Sequence, residues 1–431
     1  MTPEVPARLG SRRWAALVVV GFVGQVAWTV ENMYLNVFLY DTITDDPAAI
    51  ATMVAASAFT ATLATLLVGA LSDRTGRRRV FIASGYVLWG LSTAAFGLVT
   101  VDTVAGLAPA ANAVLLAMTA VIVLDCVMSF LGSGANDAAF QAWVTDVTRP
   151  ANRGRVESVL AIMPLVSMLA VFGALDPLTR AGQWREFFLV VGSVITVVGV
   201  VSWFLVRDRP DRPRPRTRGG VLDALLHGLR PRSMRANPAL YLLLSAWAIW
   251  GVSTQVFLPY LIIYLQRYLQ IEAYAVVLGV VLTGASVVTV GFGRLIDRVG
   301  KARFLLPALA VYAAGLLAML PARGMLAVIA AGLVLMSGLM LVAATIGALV
   351  RDHTPPEHAG HVQGLRMVFA ILIPMLIGPY VGALVIRGAD AYYEDLGVLR
   401  QVPTPAVFLA AAVVLLLIAV PVLALRKREA A

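Results

Sequence analysis

The sequence predicts an all-α integral membrane protein with twelve transmembrane helices in two pseudo-symmetric six-helix bundles. Three observations carry that prediction. Of 431 residues, 60% are apolar and 13% charged, whereas a soluble chain carries about a quarter charged residues. Apolar runs of bilayer-crossing length, about 20 residues each, recur from end to end. Two loop motifs of the first half return at the same places in the second. A mean hydropathy of +0.84 agrees. This composition excludes a soluble enzyme, a nucleic-acid binder and a secreted disulfide scaffold. The net charge of +10 fits basic loops on one membrane face. Cys126 is the single cysteine, so neither an internal disulfide nor a cysteine metal cluster is available.

The apolar runs fall at 14–40, 48–71, 80–101, 113–141, 156–178 and 185–206, then at 239–266, 273–293, 304–321, 325–350, 365–386 and 405–425. The first comes after Arg8, Arg12 and Arg13 and has no small-residue cleavage site after its core, so it reads as a retained anchor. Orientation is set by the basic residues. With the N-terminus inside, 28 Lys and Arg fall on one face and 6 on the other: Arg180, Arg185, Arg267, Arg323, Arg387 and Arg400. Both termini are therefore expected in the cytoplasm, in the inner cell membrane. The expected organisation is a bundle over 1–206, a cytoplasmic linker over 207–237 and a bundle over 238–431. The linker contains RDRPDRPRPRTRGG, whose prolines and like charges keep it from packing a core. It reads as an extended arm on the anionic inner leaflet.

The repeat is explicit. Gly69-Ala-Leu-Ser-Asp73-Arg74-Thr-Gly76-Arg77-Arg78-Arg79 comes after the second run, and Gly293-Arg-Leu-Ile-Asp297-Arg298-Val-Gly300-Lys301-Ala-Arg303 after the eighth. Both fit G-x-x-x-D-R-x-G-[RK]-x-R. After the fourth and tenth runs, Asp146-Val-Thr148-Arg-Pro150-Ala-Asn-Arg153-Gly154 stands against Asp352-His-Thr354-Pro-Pro356-Glu-His-Ala359-Gly360. The chain is a tandem duplication. Gly69 and Gly293 would permit close helix approach, and Gly76 and Gly300 a turn out of the helix. Asp73 and Asp297 would accept bonds from helix amides or a basic side chain. Such contacts could bias one of two states; as pure topology signals they would need the arginines alone.

With its twelve helices and basic central linker, this doubled loop resembles the major facilitator superfamily, over the whole chain. The resemblance implies the major facilitator fold, secondary transport by alternating access around a midplane site and gating by Gly69, Asp73, Arg74, Gly76, Arg77, Asp146, Arg153, Gly293, Asp297, Arg298 and Gly300. The Asp146-to-Arg153 spacing is similar to the loop of sugar porters; Ala359 replaces the arginine in the second copy. Trp28-Thr-Val-Glu31-Asn32-Met-Tyr34-Leu-Asn36-Val-Phe38 and Asn136-Asp137 look, more loosely, like the glycoside-pentoside-hexuronide cation symporters and their sucrose-transporter relatives. That branch places carboxylates on the second helix, and residues 48–71 contain none, which argues against a sodium site.

Among 24 acidic residues, only Glu31, Asp125 and Asp137 fall well inside apolar runs. Each such charge costs about 2.5–3.5 kcal/mol on insertion scales, and burial disfavours the ionised form, so these are the candidate proton carriers. His227, His353, His358 and His361 all lie in loop segments. Asp125, Ser129, Gly132 and Asn136 share one helical face; Gln25, Trp28, Thr29, Asn32 and Asn36 form a stripe on the first helix, with Glu31 beside it. The two stripes should meet, either along a transport path or as a polar seam between helices. Trp250 and Gln255 on the seventh helix would contact substrate, and Tyr264 would be a belt anchor. Gly378-Pro379-Tyr380-Val-Gly382 is similar to a Gly-Pro antiporter motif, but lies on the eleventh helix, not the fifth.

The expected function is proton-coupled uptake of a glycoside or similar polar metabolite by a monomer, without cofactor or metal. The alternative is proton-driven export of an amphipathic compound; a membrane-embedded enzyme or a sensor is a third class. No intramembrane histidine, paired metal ligands, nucleotide loop or appended soluble domain supports that third class. Cysteines introduced within 207–237 should resist an impermeant reagent in intact cells and react after lysis; ready labelling from outside would contradict the orientation.

Overall fold

The computed structural model describes residues 9–107, 112–148, 150–208, 237–354, 364–395 and 398–429; side chains of 150–154, 293–297, 395, 398, 428 and 429 are outside the description. Most of the linker and the 358–361 histidine segment therefore also lie outside it. Among the described residues, twelve helices are long and apolar enough to cross a membrane. They are α1 Ser11–Thr42, α2 Pro47–Thr75, α3 Arg78–Leu98, α4 Ala113–Val147, α5 Arg155–Ala174 and α6 Trp184–Leu205, then α7 Pro238–Tyr268, α8 Tyr274–Phe292, α9 Lys301–Ala318, α10 Gly324–Asp352, α11 Gly364–Ala389 and α12 Ala406–Lys427. The chain forms two compact units: Met1–Thr44 with Ala56–Leu222, and Asp45–Ala55 with Asp223–Ala431. The start of α2 thus belongs to the second unit.

In the first unit, glycines set the helix spacing. A Cβ on Gly192 of α6 would lie 2.5 Å from the Gly90 carbonyl of α3, so backbone packs on backbone, as membrane helices without a hydrophobic drive between them require. One end is filled by rings: Phe38 sits 5.0 Å from Phe188 and 5.5 Å from Trp184. Beside them the buried Asp176 takes Tyr34 Oη at 3.1 Å and Arg180 Nε at 2.5 Å, so the buried charge is paired.

The second unit repeats the device. A side chain at Gly338 of α10 would collide with the Tyr312 backbone of α9. The Gly-Pro run of α11 works the same way: a Cβ on Gly378 would meet Gln255 Cβ of α7 at 2.5 Å. Its glycine serves helix approach. Two features were absent from the sequence expectation. Strands β1 Tyr392–Asp395 and β2 Val398–Gln401 form an antiparallel hairpin with Tyr392 opposite Gln401. Among the described residues, four helices also widen into π turns, at Val30–Tyr34 in α1, Ser133–Phe140 in α4, Tyr264–Tyr268 in α7 and Val368–Leu372 in α11.

Candidate functional site: buried carboxylates of the first unit

The π turns of α1 and α4 carry Glu31 and Asp137. A π turn inserts one residue and rotates the rest of the helix, and such turns cluster at functional sites. Glu31 meets the α4 face, where Ser129 Oγ donates to its Oε1 at 2.7 Å. Asp125, one turn earlier, is bonded by Ser57 of α2. Glu31 is 9% exposed and Asp125 2%. Glu31 lies in the field of Asp125, and no basic residue is among the described groups that act on either. Glu31 Oε2 and Asp125 Oδ1 have no hydrogen-bond partner among the described residues. Among the described residues, the two carboxylates lie buried with neither a neighbouring cation nor a full set of hydrogen bonds.

Asp137 is placed differently. It is half-buried, accepts from Asn136 Nδ2 at 3.0 Å and is bonded by the Trp28 indole. Asn136 Oδ1 lies 2.9 Å from Tyr86 Oη, itself 2.9 Å from the Val20 carbonyl. Trp28 packs 5.1 Å from Trp89 of α3. The sequence reading missed Tyr86 and Trp89; a tyrosine and a tryptophan at i and i+3 inside an apolar run were the available signal. Gln25 is half-buried, and Asn32 is the exposed residue of its turn. Asn36 is buried, its amide bonded to the Asn32 carbonyl at 3.0 Å, and Thr29 turns to Ser167 of α5 at 3.4 Å. The α1 stripe is therefore split among several surroundings.

In the second unit, Trp250 and Thr254 of α7 surround Tyr312 of α9; the Trp250 and Tyr312 rings are 6.5 Å apart, and the Thr254 and Tyr312 hydroxyls 3.1 Å apart. Trp250 Nε1 is buried without a partner among the described residues, whereas Gln255 is half-buried against Gly378. Tyr264 is 1% exposed and packs on Phe408, so it is a core residue and not a belt anchor. Arg366, in the first turn of the run 365–386, lies within α11 with its guanidinium 5.0 Å over Trp247.

The two loop motifs differ. Arg78, 2% exposed, bonds Ser72 and Asp73, and its Nε lies 3.5 Å from Asp146 Oδ2. This one guanidinium joins the ends of α2, α3 and α4. Arg74 and Arg77, the arginines expected to act, are exposed; three consecutive arginines gave no sign of which would turn inward. Gly76 and Gly300 have φ of 66° and 90°, the left-handed turn that glycine adopts without strain. Gly69 does not enforce close approach: a Cβ there would meet Ala138 Cβ at an ordinary 3.7 Å. Arg153, Gly293 and Asp297 lie outside the described side chains, and Arg298 is exposed. In the second copy Ala302 replaces the buried arginine, and Lys301 reaches Asp352 at 2.6 Å on the surface.

Removing a buried ion partner costs about 3–5 kcal/mol, an exposed one about 0–1 kcal/mol. Arg78→Ala should therefore lower the thermal midpoint in detergent far more than Lys301→Ala. Equal midpoints for the two variants would contradict the loop's asymmetry.

Comparison with known proteins bears on the family and the fold. The profile of the Major Facilitator Superfamily matches residues 17–379 and 273–431. No curated protein matches by sequence. Among solved structures, the nucleoside transporter NupG superposes with a TM-score of 0.71 at 11% identity, covering 97% of this chain and all of that one. A point mutant of NupG gives 0.72 at 12%, covering 96% and 100%. A bacterial homolog of the human lysosomal transporter Spinster, in an inward-facing and unoccupied conformation, gives 0.60 at 16%, covering 97% and 96%. At these identities the structures establish the fold, and the profile establishes the family. The chain is a multi-pass membrane transporter of small molecules that belongs to the major facilitator superfamily.

Proposed function

We propose that this transporter couples proton entry to uptake of a glycoside or similar polar metabolite, by alternating access in the inner membrane with both termini cytoplasmic. The observation that carries the reading is the Glu31–Asp125 pair: two carboxylates on adjacent helices, each with one oxygen lacking a partner, and no cation beside them among the described residues. Two uncompensated charges in apolar surroundings are strongly disfavoured, so a proton resident on the pair offsets that cost. Releasing it changes the energy of the state that buries the pair, and a proton drives a cycle only through such a difference between states.

Asp137 takes another part in this reading. Half-buried and held by Asn136 and Trp28, it presents an oriented acceptor to a hydroxyl-rich substrate, beside Gln25 and Asn32. Asn136 supports it, and within the second unit Trp250 and Gln255 are the proposed substrate contacts. A nucleoside is itself an N-glycoside, so the substrate named for NupG falls in the same chemical class. The Asp73–Arg78–Asp146 staple and its Lys301–Asp352 counterpart act as the loop gates.

The test is counterflow in proteoliposomes with labelled sucrose, methyl glucoside and uridine, with and without a pH gradient. With whichever probe exchanges, Asp125→Asn should reduce gradient-driven accumulation at least tenfold and leave downhill exchange within about twofold. Accumulation at the wild-type level would remove Asp125 from the coupling role. Failure of all three probes, with exchange of an amphipathic cation instead, would support the export reading.

A further inference from the structure

The start of α2 is held by parts of the second unit that no loop motif includes. Asp45 Oδ2 accepts from the Gln401 backbone N–H at 2.8 Å. Both oxygens of Asp46 accept from Arg387 Nη2, at 2.6 and 2.8 Å. The Pro47 carbonyl lies 3.0 Å from Tyr260 Oη, which is also 2.9 Å from the Pro379 carbonyl. Thr52 Oγ1 lies 3.1 Å from Tyr380 Oη. These contacts tie residues 45–52 to α7, α11 and β2.

The hairpin is built to make the first of these. Asp390 ends α11 in the left-handed conformation, φ 47°, and turns the chain into β1; Val402 N–H closes the base on the Ala391 carbonyl at 2.9 Å. Gln401 Nε2 reaches the Ile386 carbonyl at 3.3 Å, and Arg267 of α7 covers Tyr393 at 5.6 Å. The strand is thus fixed on α7 and α11 and offers an amide to Asp45. The Asp46–Arg387 pair is exposed, at 44% and 50%, and such pairs contribute little and weaken with salt. Among these contacts, the Tyr260 hydroxyl is the deeply buried one. A clasp of several weak bonds around one buried one can hold and still let go.

We propose that the β1–β2 hairpin is a strap that holds the first turns of α2 on α7 and α11 within the second unit, and that its release is a step of the transport cycle. The proposal rests on the alternating-access reading for its purpose. The docking itself is testable without any substrate.

The reporter is Ala51→Cys in a Cys126→Ala background, because Ala51 is fully buried. Purified protein in nanodiscs is treated with a maleimide, which removes any dependence on orientation. Labelling should be slow in this parent. It should rise at least fivefold with Asp45→Ala, and further when residues 392–401 are replaced by a short Gly-Ser loop. Asp45→Ala alters a loop residue, so folding is preserved even if the loop replacement fails. Separately, the Asp46→Cys, Arg387→Cys pair, bridged by a short bifunctional methanethiosulfonate, should stop exchange of the responsive probe until the bridge is reduced. Labelling within twofold of the parent in Asp45→Ala would overturn the strap. A bridge that forms and leaves exchange unchanged would overturn its release in the cycle, while the coupling reading would stand.

Discussion

Burial of Glu31 beside Asp125, without a cation among the described residues around them, is the constraint on which the first unit depends. Each charge at mid-membrane costs about 2.5–3.5 kcal/mol on insertion scales, and a purely structural seam has no use for that cost. The surrounding elements are arranged around it. The π turn of α1 aims Glu31 at Ser129. Ser57 of α2 bonds Asp125, although α2 itself carries no carboxylate before Asp73. The hydroxyls lower the expense of burial without neutralising the pair, and this leaves room for a mobile proton.

The duplication supplies a shared scaffold and distinct chemistry. Glycine contacts space helices in both units, and a left-handed glycine ends the motif loop in each. The first unit, however, concentrates acids, and the second an aromatic and hydroxyl cluster around Tyr312. The loops diverge in the same manner: one arginine is buried in the first, and a lysine pairs at the surface in the second. Two halves with the same fold therefore need not contribute equally to coupling and recognition.

Much of this was legible in the chain. Spans, repeat and the three intramembrane acids emerge from hydropathy and spacing, because bilayer burial penalises charge one residue at a time. Facing was less legible. The regular 3.6-residue period placed Trp28, Asn32 and Asn36 on one stripe, yet the first is half-buried, the second exposed and the third buried. Arg78 could not be told from Arg77 and Arg79, since only the loop's φ/ψ values decide which one points inward. The hairpin at 392–401 was hidden because Tyr, Val and Leu there lie between two long apolar runs.

Infrared difference spectroscopy of the protein in nanodiscs reads directly whether the buried carboxylates hold an exchangeable proton. Between acid and alkaline buffer, the wild type should show a carboxylic acid carbonyl band that disappears on deprotonation. The account predicts that this band is lost in the Glu31→Gln, Asp125→Asn double variant and persists in Asp137→Asn. A band unchanged in the double variant, or one lost only with Asp137, would contradict it.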